Sequence, residues 1–380
     1  MKKSLIALAA VAASGAAFAQ SSVTVFGVVD QAVSYVNGGE NWNGINSGAN
    51  STSRLGFRGV EDLGGGLKAN FWLEAGVLAD TGSGKSGYSA NETSSDALAF
   101  KRRSTIGLEG AFGEVRMGRE LTAAYNATAR YDLFGSVGFG ASRVWNDGVL
   151  GVAANSTTKT TNGVNLTTQR VGNMLTYVSP SFSGFKAAVN YGFGEATGDN
   201  SKSRYVGAGL TYDNGPLSLG LSAERQNTLN TAGAYSASAT AQTTRDVTAW
   251  ALGGSYDLGV VKLLAAYRDS KAKDDVTGGK DKMKGAYIGL SAPVGAAGEV
   301  KVTYNRYEGQ QFNADKYKAD QFALGYVHNL SKRTAVYGTY AYIKNKDDGA
   351  LAINLNGTAG GTLKANGSQH GLQVGVRHNF

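Results

Sequence analysis

Residues 371–380 read GLQVGVRHNF, a stretch in which apolar and polar positions alternate. Every second residue falls on one mainly apolar face, which comprises Leu372, Val374, Val376, His378 and Phe380. Because successive side chains of a β-strand point to opposite faces, this period of two predicts a strand that separates an apolar from a polar environment. The same period recurs at 184–193, 300–305 and 321–326, so the chain is predicted to be all-β.

The composition excludes several classes of protein. The 380 residues include 54 Gly, 3 Pro and no Cys, and 17% are charged, whereas average chains have about 7% Gly and about 25% charged residues. The absence of Cys excludes disulfide frameworks, thiolate nucleophiles and Cys-ligated zinc. Beyond the N-terminal segment, no apolar stretch approaches the ~20 residues that a membrane-spanning helix needs.

The N-terminus has the three parts of a secretory signal peptide. Met1-Lys2-Lys3 is basic, residues 5–17 are apolar, and Ala17-Phe18-Ala19 has the small-residue form of a cleavage site. The apolar stretch is too short for the alternative, a membrane anchor. We therefore predict a signal peptide over residues 1–19 and one exported domain over residues 20–380.

The basic residues do not indicate a nucleic-acid partner. The formal net charge is +8, but Lys and Arg are scattered, and the longest run is Lys101-Arg102-Arg103. Such scatter is typical of a solvated surface rather than of a patch that binds phosphates.

The connections between the predicted strands alternate between two lengths. The short ones lie at 61–66, 110–113, 179–183, 213–216, 257–259, 293–298 and 329–332. The long polar ones lie near 37–52, 79–98, 120–168, 195–202, 227–244, 270–281, 309–317 and 345–367. Seven short and eight long connections predict sixteen antiparallel strands.

Periodicity alone does not distinguish a β-sandwich from a β-barrel. Short turns at one end and long loops at the other are typical of an outer-membrane barrel, and a barrel of sixteen strands encloses water.

Six segments, in the same order, resemble the trimeric general porins of Gram-negative outer membranes. They are SVTVFGVVD at 22–30, SRLGFRGVEDLGGGLKA at 53–69, FGEVRMGRE at 112–120, YVSPSFSGF at 177–185, LSKRTAVYGTYAYIKN at 330–345 and VGVRHNF at 374–380. The resemblance implies a 16-stranded transmembrane β-barrel that forms a homotrimer and lets small hydrophilic solutes and ions diffuse passively. It also implies contact with outer-membrane lipid and lipopolysaccharide, recognition of Phe380 by the barrel-assembly machinery, and no cofactor or metal.

The third long loop, 120–168, is the longest of the eight. A loop of this length projecting into solvent would be unusual, and the resemblance implies that it folds inward and narrows the pore. Within it, YDLFG at 131–135 resembles the family's constriction motif, in which an acid often directly precedes Phe-Gly. Leu133 stands at that place here, so the resemblance carries the acidic role to Asp132 in a shifted position.

Two arginines of the predicted wall match constriction residues of the family. Arg54 has the opposite parity to Leu55 and Phe57, and Arg170 has the opposite parity to Val171, so both are predicted to face water.

The third constriction arginine has two candidates. Arg102 matches by its position before Ile106-Gly107-Leu108, whereas the parity of the apolar residues in that segment favours Arg103. Further candidates for lining the pore are Arg58, Arg116 and Glu120.

The constriction arginines predict the selectivity of the pore. A guanidinium remains charged at any relevant pH, and three of them facing Asp132 would create a transverse field that favours anions. Because salt screens charges over about 8 Å, the predicted anion preference is weak to moderate. The alternative for each arginine is a hydrated wall residue with no part in selectivity.

Two other functions use the same residues. An enzyme is disfavoured because no H-E-x-x-H or G-x-S-x-G motif occurs and the histidines lie near strand ends or beside a loop, so no catalytic residue is predicted. These histidines are His328, His370 and His378. A substrate-specific channel is the closer alternative, since aromatic residues of the third loop would form a slide for sugars. These aromatics are Tyr125, Tyr131, Phe134, Phe139 and Trp145.

Overall fold

The computed structural model describes most of the chain after the N-terminal segment. The described residues are 22–39, 41–85, 94–95, 98–145, 168–194, 204–230, 243–274, 278–310, 316–353, 363 and 365–380. The predicted signal peptide at 1–19 lies outside the described residues.

Sixteen strands of the described chain form one antiparallel sheet that closes on itself. They are β1 (Ser22–Asn37), β2 (Arg54–Gly64), β3 (Leu67–Leu78), β4 (Arg103–Gly110), β5 (Gly113–Leu121), β6 (Arg170–Val178), β7 (Phe185–Gly192), β8 (Tyr205–Asn214), β9 (Leu217–Asn230), β10 (Thr243–Asp257), β11 (Lys262–Asp274), β12 (Lys280–Val294), β13 (Gly298–Gln310), β14 (Tyr317–Asn329), β15 (Thr334–Lys346) and β16 (Ser368–Asn379). Three shorter strands, Trp42–Ser47, Ser83–Lys85 and Ser94–Ser95, lie in the first two long loops. The predicted sixteen-stranded antiparallel barrel is confirmed.

Strand β1 closes the barrel. Its residues 22–28 pair with β2, and its residues 28–37 pair with β16. Each wall strand therefore has a neighbour on both sides, and the backbone N–H and C=O groups of the wall bond within the sheet, as hydrocarbon surroundings require.

The connections follow the predicted alternation with two exceptions. At one end, the seven connections between β2 and β15 are short, as expected. At the other end, the connections at 275–279 and 311–316 are short as well, because β11, β12, β13 and β14 extend as paired strands into the segments predicted to be loops. Individual strands have 8 to 16 residues.

The two faces of the wall differ in polarity. In β16, Leu372, Val374 and Val376 are about half exposed on the outside, whereas Gln373 between them is completely buried on the inside. In a closed membrane barrel the outer apolar side chains meet lipid and the inner face meets the lumen. The alternation in the sequence therefore identifies the lumenal residues of each regular strand.

Helical structure is confined to the third long loop in the part of the chain that the structure describes. Helix α1 (Ala123–Thr128) continues into a short 3₁₀ turn, Ala129–Tyr131. Thr122 caps α1 by accepting a hydrogen bond from the Tyr125 backbone N–H. Among the described residues, no helix is both long and apolar enough to cross a membrane.

Candidate functional site

The third long loop folds into the barrel and lies along its inner wall. At its start, the Ala123 backbone N–H donates to the side-chain oxygen of Asn190 on β7. Further on, the Phe139 N–H donates to Gln373 Oε1 on β16, 2.8 Å away. The described part of the loop, 122–145, therefore covers the lumenal side of the wall from β7 to β16.

Glycines of the wall make room for this loop. A Cβ at Gly325 would lie 2.7 Å from the ring of Phe134, and one at Gly371 would lie 2.6 Å from the ring of Phe139. The other wall glycines against which the loop packs are Gly209, Gly220, Gly253, Gly285 and Gly289. Part of the high glycine content therefore forms a wall surface without side chains, here called the glycine bed, against which the loop packs.

Aromatic residues of the loop are anchors that face the wall. Tyr131, Phe134, Phe139 and Trp145 are at most 7% exposed, and the Trp145 ring meets the Tyr287 ring edge-on at 5.8 Å. They belong to the largest apolar cluster of the described structure, against which Tyr125 also packs. Their faces are therefore covered and do not form the slide that a sugar-specific channel would need.

Asp132 organises the loop. Its carboxylate accepts hydrogen bonds from the backbone N–H groups of Phe134, Ser136 and Ser142 at 3.0–3.1 Å. Burial raises the pKa of Asp132 to about 6, an effect that these three donors partly offset. The sequence led us to expect Asp132 opposite the wall arginines. The structure instead buries the carboxylate within the loop, because the loop's own N–H groups satisfy it.

The acid that meets the wall arginines is Glu74 of β3, a residue not identified from the sequence. Its Oε1 lies 2.6 Å from Arg102 Nε and 3.7 Å from Arg54 Nη1. Arg170 also interacts electrostatically with the same carboxylate. The Trp72 indole N–H donates to Oε2 at 3.3 Å. The structure thus brings three predicted arginines together around one lumenal glutamate.

The alternation of apolar and polar residues in β3 predicts the lumenal position of Glu74. Phe71 and Leu73 alternate with Trp72 and Glu74, so the same parity that orients Arg54 places Glu74 in the lumen. The resemblance directed attention to an acid in the loop instead.

Both candidates for the third arginine reach the lumen. Arg103 begins β4 and pairs with Glu74, so it shares the lumenal face, as parity predicts. Arg102 precedes the strand, where parity does not apply. Its backbone N–H donates to the Glu74 carbonyl oxygen at 3.1 Å, and its side chain meets the Glu74 carboxylate.

Arg170 reaches the cluster by a different route from the one predicted. Asn173 adopts a positive φ of 49°, and the pairing of β5 with β6 shifts register between Gly118 and Glu120. This bulge places Val171 opposite the lumenal Glu120. Simple alternation along β6 therefore does not predict the position of Arg170, whose charge nevertheless acts on Glu74.

A second group of charges continues along the same wall. Arg116 bonds the carboxylates of Glu114 and Glu120, the latter at 3.0 Å. Arg103 lies 3.6 Å from Glu120. Glu120 is therefore a buried bridge between two arginines rather than a free acid at the pore surface.

An aromatic pair supports two of the arginines. The Arg58 guanidinium lies 5.4 Å from the ring centre of Phe26 and 5.3 Å from that of Trp72. The Arg103 guanidinium lies 4.6 Å from the Trp72 ring centre. Such contacts hold cations against the wall without neutralising them.

Positive charge exceeds negative charge in the cluster on the wall that the described part of the loop leaves uncovered. The contacts described above involve six arginines and three carboxylates. They are Arg54, Arg58, Arg102, Arg103, Arg116 and Arg170, against Glu74, Glu114 and Glu120. The described part of the loop covers β7 to β16, and these charges lie on or beside β2 to β6, so a solute that crosses the lumen beside this part of the loop passes a net positive cluster.

The histidines contact neutral groups. His328 Nδ1 lies 3.1 Å from the Tyr326 hydroxyl, and His378 Nδ1 lies 2.9 Å from the Thr334 hydroxyl. The His370 ring packs against Tyr340. Within the described ranges, no group of three or more His, Asp or Glu side chains is arranged to hold a metal ion.

Comparison with known proteins gives consistent matches. A family model described as Gram-negative porin matches residues 5–348. The chain is 45% identical to outer membrane porin protein 32 of Delftia acidovorans and 32% identical to an outer membrane porin protein of Bordetella pertussis, with 100% of each chain covered in both cases. Its fold is similar to that of the anion-selective porin from Comamonas acidovorans, with a TM-score of 0.80, 41% identity, and 95% of this chain and 100% of that chain covered.

Proposed function

The chain belongs to the Gram-negative porin family, and on that premise we propose that its barrel is a water-filled pore of the outer membrane through which small hydrophilic solutes and ions diffuse with a preference for anions. The family and the fold are those of channels rather than enzymes.

The arginines around Glu74 carry the proposed anion preference. Arg54, Arg102 and Arg170 surround a single carboxylate, so positive charge exceeds negative charge where the loop narrows the lumen. A guanidinium cannot be titrated away at physiological pH, and in the lumen it is hydrated, which avoids the cost of about 2–4 kcal/mol at the lipid-facing midplane.

The size of the preference follows from screening. Two unit charges 4 Å apart in water interact by only about 1 kcal/mol, and physiological salt screens charges beyond about 8 Å. The arginines therefore raise the local concentration of anions without excluding cations. This corresponds to a weak or moderate bias rather than a filter.

Glu74 has a positioning role in this proposal. By accepting from Arg102 and attracting Arg54 and Arg170, its carboxylate keeps three mutually repelling cations close together. It neutralises one unit of their charge in doing so. Glu74 therefore fixes the positions of the arginines but weakens the positive electrostatic field that they produce in the pore.

The family resemblance adds three partners to the proposal: two further copies of the chain in a homotrimer, outer-membrane lipid with lipopolysaccharide, and the barrel-assembly machinery. Phe380 supports the last of these. Its backbone pairs with Gly27, and its ring covers Gly27 on the outside of the barrel while remaining 47% exposed. The terminal aromatic is therefore both ordered by the closing strands and accessible.

Planar-bilayer recordings test the proposed function. The wild-type channel in a KCl gradient should give a reversal potential of the sign set by chloride, and its conductance should rise with salt concentration without saturating. A reversal potential of the sign set by potassium would contradict the anion preference. The absence of conducting events would contradict the pore itself. Migration of unboiled protein as a monomer would contradict the homotrimer.

A further inference from the structure

A lysine-lined groove lies on the outer surface of the barrel, away from the pore. Its volume is about 810 Å³, and it lies where β10 to β13 approach the long-loop end. Its lysines are Lys271, Lys273, Lys280, Lys282, Lys284 and Lys316. The carboxylates that line it are those of Asp269 and Glu308, so the groove is strongly positive.

The strand register concentrates these charges. Lys271 pairs with Lys282, and Lys273 pairs with Lys280, so like charges lie directly opposite one another on β11 and β12. Directly opposed like charges destabilise a sheet. Lys284 Nζ lies 3.7 Å from the carboxylate oxygen Oδ2 of Asp269. The repulsion between the opposed lysines therefore destabilises this part of the sheet, and a bound anion would reduce that repulsion.

The groove lies immediately above the lipid-facing belt. Lys284 lies on the outer face of β12 together with Ile288, which is 59% exposed. Trp250, which lines the groove, packs against Tyr267 on the same outer face, with the ring centres 5.4 Å apart. Aromatic residues mark the level where hydrocarbon gives way to head groups, and long loops lie on the extracellular side.

We propose that this groove binds the phosphate groups of a phosphorylated lipid in the outer leaflet, whose acyl chains lie on the apolar belt below it. The proposal deepens, and rests on, the lipid contact proposed above. The position of the groove selects the occupant, because a lipid alone presents a phosphate at head-group level and hydrocarbon beneath it.

The test uses the full chain, purified and folded in a zwitterionic detergent, with diphosphoryl lipid A as the probe and native mass spectrometry as the measurement. The variant carries Lys271→Gln, Lys282→Gln and Lys284→Gln. The matched control carries Lys68→Gln, Lys262→Gln and Lys332→Gln, three substitutions at the short-turn end of the barrel. Because each interfacial lysine contributes to binding an anionic lipid, we expect the variant to bind lipid A on the order of 100-fold more weakly than the wild type and the control.

Two further measurements are made on the wild type. Lipid A lacking both phosphates should bind the wild type as weakly as lipid A binds the Gln variant, and inorganic phosphate should not displace lipid A from the wild type. As a rescue, substitution of the same three lysines by Arg should keep binding at the wild-type level.

The contrary results are distinguishable. Equal binding by the wild type and the Gln variant would overturn the lysine site while leaving the lipid contact intact. Failure of the wild type to bind lipid A would overturn both. Displacement by inorganic phosphate would assign the groove to the free anion and overturn the lipid as its occupant.

Discussion

Arg102 Nε lies 2.6 Å from Glu74 Oε1, although the two residues are 28 positions apart in the chain. The same two residues are joined by the backbone, where the Arg102 N–H donates to the Glu74 carbonyl oxygen. The end of the second long loop is thus fixed to β3 by both main chain and side chain. This attachment holds a cation in the lumen at a place where no strand dictates its orientation.

Removal of the carboxylate should strengthen the anion preference. The variant Glu74→Gln deletes the negative charge among Arg54, Arg102 and Arg170 and retains an acceptor for their N–H groups. Since unit charges at contact distance in water interact by about 1 kcal/mol before screening, we expect the chloride-to-potassium permeability ratio to rise about twofold. The reversal potential in a KCl gradient measures this ratio.

The control for that substitution is Glu61→Gln, near the short turn between β2 and β3. It should leave the permeability ratio unchanged. A fall in the ratio for Glu74→Gln would show that the carboxylate acts mainly by keeping the arginines in the lumen.

The glycine bed predicts different outcomes for two adjacent residues. A Cβ at Gly253 would collide with the ring of Tyr131 and push the third loop from the wall. A Cβ at Gly254 faces outward and approaches the flexible end of Leu219 at 2.9 Å and the Ser218 carbonyl oxygen at 3.2 Å, neither of which belongs to the loop. Because overpacking costs about 1–3 kcal/mol, Gly253→Ala should lower the temperature at which the folded barrel loses its fast gel mobility, and Gly254→Ala should not.

Single-channel records provide the second measurement for this pair. Displacement of the loop by Gly253→Ala should change the conductance or increase brief closures, while Gly254→Ala should conduct like the wild type. Identical conductance and heat stability in both variants would contradict the packing of the loop on the wall.

Asp132 predicts a pH dependence of loop docking. Burial raises its pKa from the ordinary value of 3.8 to about 6. Because the docked loop holds the proton more tightly than an exposed loop does, the resulting stabilisation is complete below about pH 4 and is lost as the pH rises through about 6. The difference between the two pKa values corresponds to about 3 kcal/mol.

The measurement is the frequency of brief closing events in single-channel records between pH 4 and pH 7. We expect closures to become more frequent with rising pH in the wild type, whereas Asp132→Asn, which cannot ionise, should have the same frequency throughout. A wild-type frequency independent of pH would contradict the prediction.

Alternation predicts those parts of the fold that repeat every two residues. It assigns the outer face of β16 from Leu372, Val374 and Val376, and it places Arg54 and Arg103 in the lumen. These predictions succeed because a regular strand between hydrocarbon and water has no other way to arrange its side chains.

Local departures from regular strand geometry limit the same reasoning. The bulge at Asn173 changes the register next to Arg170, and Arg102 lies one residue before β4, so neither follows the parity count. A residue's place relative to a strand end or a bulge is set by hydrogen bonds to a distant strand, which a pattern within one segment does not contain.

The position of Asp132 depends on contacts that the sequence motif does not record. The motif identifies an acid before Phe-Gly, but three backbone N–H groups of the folded loop decide where the carboxylate points. Glu74 meets the arginines instead, because strand pairing brings β3 beside β2 and β4. Pairing across the sheet, rather than order along the chain, assembles the charged wall.

The reversal potential of one triple variant shows whether the wall arginines set the selectivity of the pore. Wild type and a variant carrying Arg54→Gln, Arg102→Gln and Arg170→Gln are compared in the same planar bilayer under the same KCl gradient, with Arg333→Gln in a short turn as the control. We expect an anion-selective wild type and control, and a chloride-to-potassium permeability ratio lowered on the order of tenfold in the triple variant. A triple variant that keeps the wild-type reversal potential would show that these arginines do not set the selectivity of the pore.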